Sequence, residues 1–136
     1  MAKKLHLQIV TADKSVCDEL ASFVLVPIVG CDEGILPDHA AMIAALDEGG
    51  LRYKTEDEEH YVAVLGGVVS LADNELIVLA TAAERAESID IARAKASEKR
   101  ARERIESKAS DIDVSRAELS LHRALVRQKA YSYPHK

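Results

Sequence analysis

From Thr81 to Tyr133 the chain contains neither glycine nor proline, whereas all six glycines and two of the three prolines precede that stretch. This boundary constrains the fold more than any other feature. Upstream of it, short apolar alternations are interrupted every few residues; downstream, nothing punctuates the backbone. "LHLQIV" sets Leu5, Leu7 and Ile9 against His6 and Gln8, the period-two mark of a half-buried strand. "SFVLVPIV", "MIAAL", "GLRYKT", "EHYVAVL", "GVVSLA" and "ELIVLAT" follow it. Turn signals separate them at 47–50, at 56–59, at Gly66-Gly67 and at Asp73-Asn74. "DHAAMIAALDEG" has helical propensity, yet its place in this series favours a strand. Many short strands at such spacing predict an all-β sandwich.

After Thr81 alanine becomes frequent and the period lengthens. "TAAE" (Thr81 to Glu84) fits a capping box, with Ser88 an alternative helix start. Ile89, Ala92, Ala96 and Ile105 fall near one face of the first predicted helix. "SKASDID" (107–113) is a polar break, and Ser115 to Glu118 offers a second capping box, with Asp113 another cap. Val114, Ala117, Leu121, Ala124 and Leu125 form the stripe of the second predicted helix. Two helices joined by a short break predict an antiparallel hairpin. The expected fold is thus an all-β sandwich (1–84) followed by an α-helical hairpin (85–136), two domains in sequence. Buried leucine contributes about 1.5–3 kcal/mol and alanine much less, so an alanine-lined hairpin is weakly held and can undock.

Charge divides at the same place. Residues 1–84 carry 5 Lys/Arg against 15 Asp/Glu, a net −10, and residues 85–136 carry 13 against 8, a net +5. Only five residues are aromatic and none is Trp, so the core of this 136-residue chain must be Val, Leu, Ile and Ala. Cys17 and Cys31 lack any metal-ligand spacing and read as free thiols. The start "MAKKLHLQIV" has no apolar run of signal-peptide type, and no stretch reaches the roughly 18 apolar residues of a membrane span. The expectation is a soluble chain in a reducing compartment.

Two function classes fit poorly. Nucleic-acid binding through the basic tail is opposed by the acidic body and by the scarcity of aromatics, apart from Tyr131 and Tyr133. Catalysis lacks a motif: His6, His39, His60, His122 and His135 are scattered, without HExxH, GxSxG or paired metal spacing. His39 in "PDHA" reads as a structural turn residue.

Three stretches carry a family resemblance. "GILPDHA" (34–40) resembles the G-I-L-P-x-H-A stretch of the epsilon subunit of F-type ATP synthases. "VLGGVVSLADNELIVLATAAERAESID" (64–90) is similar to that subunit's Gly-Gly hairpin, its final strand and the approach to its helices. Ile89-Asp90-Ile91-Ala92-Arg93-Ala94 matches the I/L-D-x-x-R-A motif with which family members bind ATP. The resemblance spans essentially the whole chain. It departs at Ala41, where the family commonly has Pro, at Asp38, where it has Gly, and at Gly30-Cys31, where the glycine often falls one position later. It implies a ten-stranded sandwich and a non-catalytic place in the central stalk, on the gamma subunit and the ring of c subunits. It also implies helices that inhibit ATP hydrolysis when they extend toward the alpha and beta subunits. Association with the membrane would come only through the complex, at the cytoplasmic face of a bacterial plasma membrane, with the thylakoid membrane second. Asp32 is the candidate contact to the c subunits.

The arginines sharpen the ATP reading. Arg93 and Arg100 are seven residues apart, and Arg123 and Arg127 four, so each pair shares a helix face. An antiparallel hairpin can bring the pairs together around an anion, and guanidinium forks match phosphate oxygens. The predicted ATP-binding set is Glu84, Ile89, Asp90, Arg93, Ala94, Arg100, Arg123 and Arg127. Asp90 or Glu84 would take the adenine amino group or orient an arginine; Ile89 and Ala94 would supply an apolar wall. No Gly-rich phosphate loop exists, so ATP is expected as a regulatory ligand, with no cofactor required and no hydrolysis. The alternative for these charges is a solvated face with pairs such as Glu98–Arg102 and Arg102–Glu106.

Overall fold

The computed structural model describes residues 3–56, 58–107 and 114–132. Eight strands come first: β1 (Leu5–Val10), β2 (Ser15–Ala21), β3 (Phe23–Ile28), β4 (Cys31–Ile35), β5 (Met42–Lys54), β6 (Glu59–Ala72), β7 (Glu75–Ala80) and β8 (Ala83–Arg85). A 3-10 turn (Ala86–Ser88) leads to helices α1 (Ile91–Ser107) and α2 (Val114–Ser132). The strand order is β2-β1-β7-β6-β5-β3-β4, with β8 also on β6, and β1 runs parallel to β7. β6 gives Val62–Val64 to β8 and Gly67–Ala72 to β7. The two long strands thus serve both layers, and the sheet closes over one core. Leu5, Leu7 and Ile9 of β1 meet Val24, Val26, Leu51, Tyr53, Val62 and Val64 there. This β-sandwich followed by two helices is the fold class read from the sequence. The eight described strands stand against an expected ten because β5 and β6, of 13 and 14 residues, each do the work of two.

Two expected turns are therefore not turns. The segment 47–50 lies inside β5, and Gly66-Gly67 inside β6, nearly opposite one another, with Leu46 paired to Gly67 and Glu48 to Leu65. Glycine marks a bend in a long strand as readily as a hairpin. Gly66 and Gly67 have φ of +78° and +136°, and a Cβ on Gly67 would sit 1.9 Å from the Leu79 carbonyl oxygen. Of the other two, the turn at 73–74 is present, and at 56–59, where Asp57 lies outside the described residues, the flanking hydrogen bond is found. Asp73 and Asn74 take φ of 51° and 62° in the tight connection between β6 and β7, and the Thr55 N–H donates to the Glu58 carbonyl at 2.9 Å. Asp38 adopts φ 69°, a left-handed conformation that suits the glycine of the resembling family and that Asp tolerates. It is held by Lys3 at 2.9 Å and by the Asn74 side chain, which accepts from its N–H at 2.6 Å. His39 is tied to the Ala40 carbonyl oxygen at 2.8 Å and to Glu33 at 3.3 Å, the fixed turn residue expected of it.

The helix starts also differ from the reading. Thr81 to Glu84 is not a capping box, because its backbone is claimed by the sheet: Thr81 N–H donates to Gly66 and Leu65 N–H to Ala82. Asp90 caps α1 instead, its carboxylate accepting from the Arg93 N–H at 3.1 Å. Ser115 is already inside α2 rather than its cap, and Asp113 lies outside the described residues, as does all of the polar break except Ser107. The predicted stripe of α1 is rotated, whereas that of α2 is met at Ala117 and Ala124 and missed at its ends. Ala94 and Ala101 are buried in α1, and Ala117, Ala124, Val126 and Ala130 in α2. Ala92, Ala96, Val114 and Leu125 are exposed, while Ile105 and Leu121 are half-buried. Alanine recurs on several faces of α1, so hydrophobicity alone does not select its seam. A polar contact helps to choose it: Gln128 donates to Glu98 across the helices at 2.8 Å. The hairpin docks through a small cluster of Ala63, Leu65, Ile89, Val126 and Ala130. Cys17 and Cys31 are both free, and no described helix is long and apolar enough to cross a membrane.

Candidate functional site

The junction of β8, the 3-10 turn and both helices encloses a pocket of about 380 Å³, lined by Glu84, Ser88, Asp90, Arg93, Ala94, Ser97 and Arg127. Each side chain is placed by its element. Arg85 pins β8: its Nε donates to the Val16 carbonyl and one guanidinium NH to the Tyr53 hydroxyl, both at 3.0 Å. Burial first, then hydrogen bonding to Glu19, raises Tyr53 far above the usual tyrosine range, so the ring stays a neutral phenol. Glu84, one residue before Arg85, is thereby fixed on the body, and its carboxylate accepts from Arg127 Nε at 2.7 Å. The capping role of Asp90 fixes the first turn of α1, which sets Arg93, Ala94 and Ser97 along one wall.

The predicted residues divide. Glu84, Asp90, Arg93, Ala94 and Arg127 line the pocket together. Ile89 lies beneath it in the apolar docking cluster. Arg100 stands one turn further along α1, bonded to Ser97 Oγ at 3.1 Å. Arg123 points elsewhere, donating to Glu48 of β5 at 3.0 Å. Four arginines therefore do not converge: two face the pocket, one stands beside it and one is turned to the body. Among the described residues the Arg93 guanidinium has neither a hydrogen bond nor an ion pair, so a cation faces the pocket uncommitted. Glu98 is held below the usual carboxylate range by the Gln128 hydrogen bond and then by Arg102, the pair that the solvated-face reading expected.

Sequence reasoning missed Arg85, Ser97, Gln128 and Glu48. Ser97 was within reach, four residues after Arg93 and so on the same face. Glu48 and Arg85 required knowledge of strand pairing. Asp32 lies exposed in β4, next to the β3–β4 turn, and lines a separate groove of about 690 Å³ between that turn, β5 and α2. Among the described residues no group of His, Cys, Asp and Glu is arranged to hold a metal. The junction pocket offers guanidinium, hydroxyl and carboxylate groups against an alanine wall. Such a set suits a polyanion whose remaining polar atoms can donate to a carboxylate.

Residues 4–86 match the family model described as the ATP synthase Delta/Epsilon chain beta-sandwich domain, and residues 87–132 that of its long alpha-helix domain. The chain is 46% identical over 130 residues to the ATP synthase epsilon chain of Desulforamulus reducens, covering 96% of this chain and 98% of that one. It is 45% identical over 127 residues to that of Symbiobacterium thermophilum, covering 93% and 91%. Among solved structures, a chain of the Euglena gracilis mitochondrial ATP synthase, in an OSCP/F1/c-ring assembly, matches with a TM-score of 0.80 at 18% identity, covering 93% of this chain and 81% of that one.

Proposed function

Since the chain belongs to the ATP synthase delta/epsilon family, whose epsilon chain is a structural subunit with no catalysis of its own, we propose that it serves as a central-stalk rotor subunit. In this reading the β-sandwich binds the gamma subunit and the ring of c subunits, and the hairpin inhibits ATP hydrolysis when it extends toward the alpha and beta subunits. The bacterial epsilon chains named above support the role, as does a structural neighbour titled as the central stalk and c-ring of the Tetrahymena thermophila synthase. Asp32 remains the proposed contact to the c subunits. The chain is then peripheral to a bacterial plasma membrane at its cytoplasmic face, held there by the complex.

ATP is the proposed regulatory ligand, and the uncommitted Arg93 guanidinium carries that proposal. A triphosphate between Arg93 and Arg127 would give Arg93 a partner and bridge α1 to α2. Arg100 can join by releasing Ser97. Glu84 or Asp90 would receive the adenine amino group. Such a ligand touches the body and both helices at once, so it binds the docked hairpin better than the extended one, and only such differential affinity shifts the balance. At a hundredfold excess over Kd the shift is about 2.7 kcal/mol. The part-exposed Glu84–Arg127 pair contributes only about 0.2–1 kcal/mol, so a shift of that size exceeds what this pair alone supplies. Thermal melting of the chain with ATP, ADP, GTP and inorganic triphosphate tests this. ATP should raise the hairpin transition beyond the effect of triphosphate, and Arg93→Ala should remove the difference. Equal shifts from all four would reject a specific nucleotide site.

A further inference from the structure

Arg123 lies one turn from Arg127 on the same face of α2, so its guanidinium can swing to an anion in the junction pocket, as the predicted ATP-binding set requires. With the pocket empty it donates to Glu48 of β5 at 3.0 Å. What it would leave behind is a poorly solvated anion. The Glu48 side chain is only 13% exposed, and its second carboxylate oxygen is buried without a hydrogen-bond partner. A carboxylate so enclosed is costly once its neutralising partner is gone. The preceding residue of α2 offers a replacement that a proton can switch on. His122 Nε2 lies 3.8 Å from that second oxygen, and the His122 side chain is 56% exposed, open to protons from water.

Both residues stand in the groove of about 690 Å³ between the β3–β4 turn, β5 and α2. The other titratable groups facing it are Cys31, Asp32, Asp47, Arg52, Tyr61 and Lys129. The fixed charges balance in number, the two carboxylates Asp32 and Asp47 against the two cations Arg52 and Lys129. Among the described residues neither of those cations forms an ion pair with Glu48, whereas Arg123 and His122 both do.

We propose that nucleotide binding takes up a proton on His122, which takes over Glu48 as Arg123 turns to the triphosphate. This rests on the nucleotide reading above. In the empty pocket Arg123 neutralises Glu48, and a charge on His122 gains little. With ligand bound, a neutral His122 leaves Glu48 stranded, whereas a protonated one faces it as an imidazolium. Proton and nucleotide therefore favour one another's binding, by reciprocal linkage. The affinity for ATP gains from His122 as pH falls through about 6.5, where an ordinary histidine charges. Acid and nucleotide then act together to hold α2 on the body.

Isothermal titration calorimetry of ATP on the full chain tests this, at about pH 6 and about pH 8, on either side of histidine titration. The triphosphate titrates in the same range, so each chain is judged by its ratio of affinities at the two pH values, with His122→Gln as the reference. The wild-type ratio should exceed that of His122→Gln by about tenfold in favour of acid, the scale for stranding a mostly buried carboxylate. Glu48→Gln leaves no charge to neutralise, so its ratio should match that of His122→Gln. Near pH 7, buffers of different ionisation enthalpy should show the wild-type chain taking up more protons per ATP than His122→Gln. Binding with equal ratios in all three chains would refute the coupling and leave the nucleotide site standing. A wild-type ratio retained in Glu48→Gln would also refute it, since His122 would then answer to another group. No ATP binding by any of the chains would refute the nucleotide reading itself, and the coupling with it.

Discussion

The sandwich and the hairpin are built from different side chains. The buried set of the body is Leu, Ile and Val, with Tyr53 among its largest fully enclosed members. The buried set of the two helices is Ala94, Ala101, Ala117, Ala124 and Ala130, with Val126 the one larger side chain. Burial of branched side chains is worth a few kcal/mol each, and burial of alanine a fraction of that. The body is therefore held by apolar area. The hairpin relies on a small docking cluster and on specific pairs: Glu84–Arg127, Glu48–Arg123 and Glu98–Gln128. Area is insensitive to ligands, whereas polar pairs can be exchanged for them. The contrast makes the hairpin the half whose hold on the molecule is the more easily changed.

The largest test of this contrast compares cores. Leu7→Ala, at a fully buried site, should cost the body about 2–5 kcal/mol in chemical denaturation. Ala101→Leu should instead force the helices apart at a cost of about 1–3 kcal/mol, seen as faster exchange in α1 and α2 with an unchanged melting temperature of the sandwich. Equal effects of both changes on one shared transition would erase the distinction. A smaller effect comes from Asp90→Ala, which removes the cap of α1 and should cost the hairpin about 1 kcal/mol, detectable as lost helical circular dichroism on mild heating.

The smallest effect belongs to the body alone. His6 lies between Asp18 at 2.6 Å and Glu75 at 2.8 Å, joining β2, β1 and β7. The Asp18 hydrogen bond, then that of Glu75, raises its pKa above the ordinary 6.5, against a lowering from burial. With the folded value above the unfolded one, this stabilisation is complete below the unfolded value and is lost as pH rises through the folded value. The site is partly exposed, so the gain is less than about 1 kcal/mol. The melting temperature of the sandwich should fall slightly as pH increases through that window, and His6→Gln should flatten the fall. Hairpin exchange should not follow it.

Much of the body was legible because strands declare themselves locally. The alternation of Leu5, Leu7 and Ile9 is visible in six letters and is obeyed in the structure. The "MIAAL" segment was likewise separable from a helix by its neighbours. The bend at Gly66-Gly67 was not legible as a bend, because a tight hairpin uses the same residues. The seam of α1 was misread for a different reason: Ala92, Ala94, Ala96 and Ala101 fall on several faces, so no stripe stands out, while in α2 Ala117 and Ala124 were placed correctly. Of the candidate site, Asp90, Arg93 and Ala94 were recognisable as a local motif, and Glu84 and Arg127 join them in the pocket. Arg123 could not be placed, since its partner Glu48 is 75 residues away in sequence and is brought near only by the fold of β5.

The central claim is that the hairpin opens independently of the sandwich and that a nucleotide governs how often. Native-state hydrogen exchange on the full chain, with and without ATP at about a hundredfold excess over its Kd, addresses it directly. Amides of α1 and α2 should exchange with a lower free energy of opening than those of β1, β6 and β7, and ATP should slow the helical amides by up to about a hundredfold while leaving the strands unchanged. A single free energy of opening shared by helices and strands, indifferent to ATP, would contradict the account.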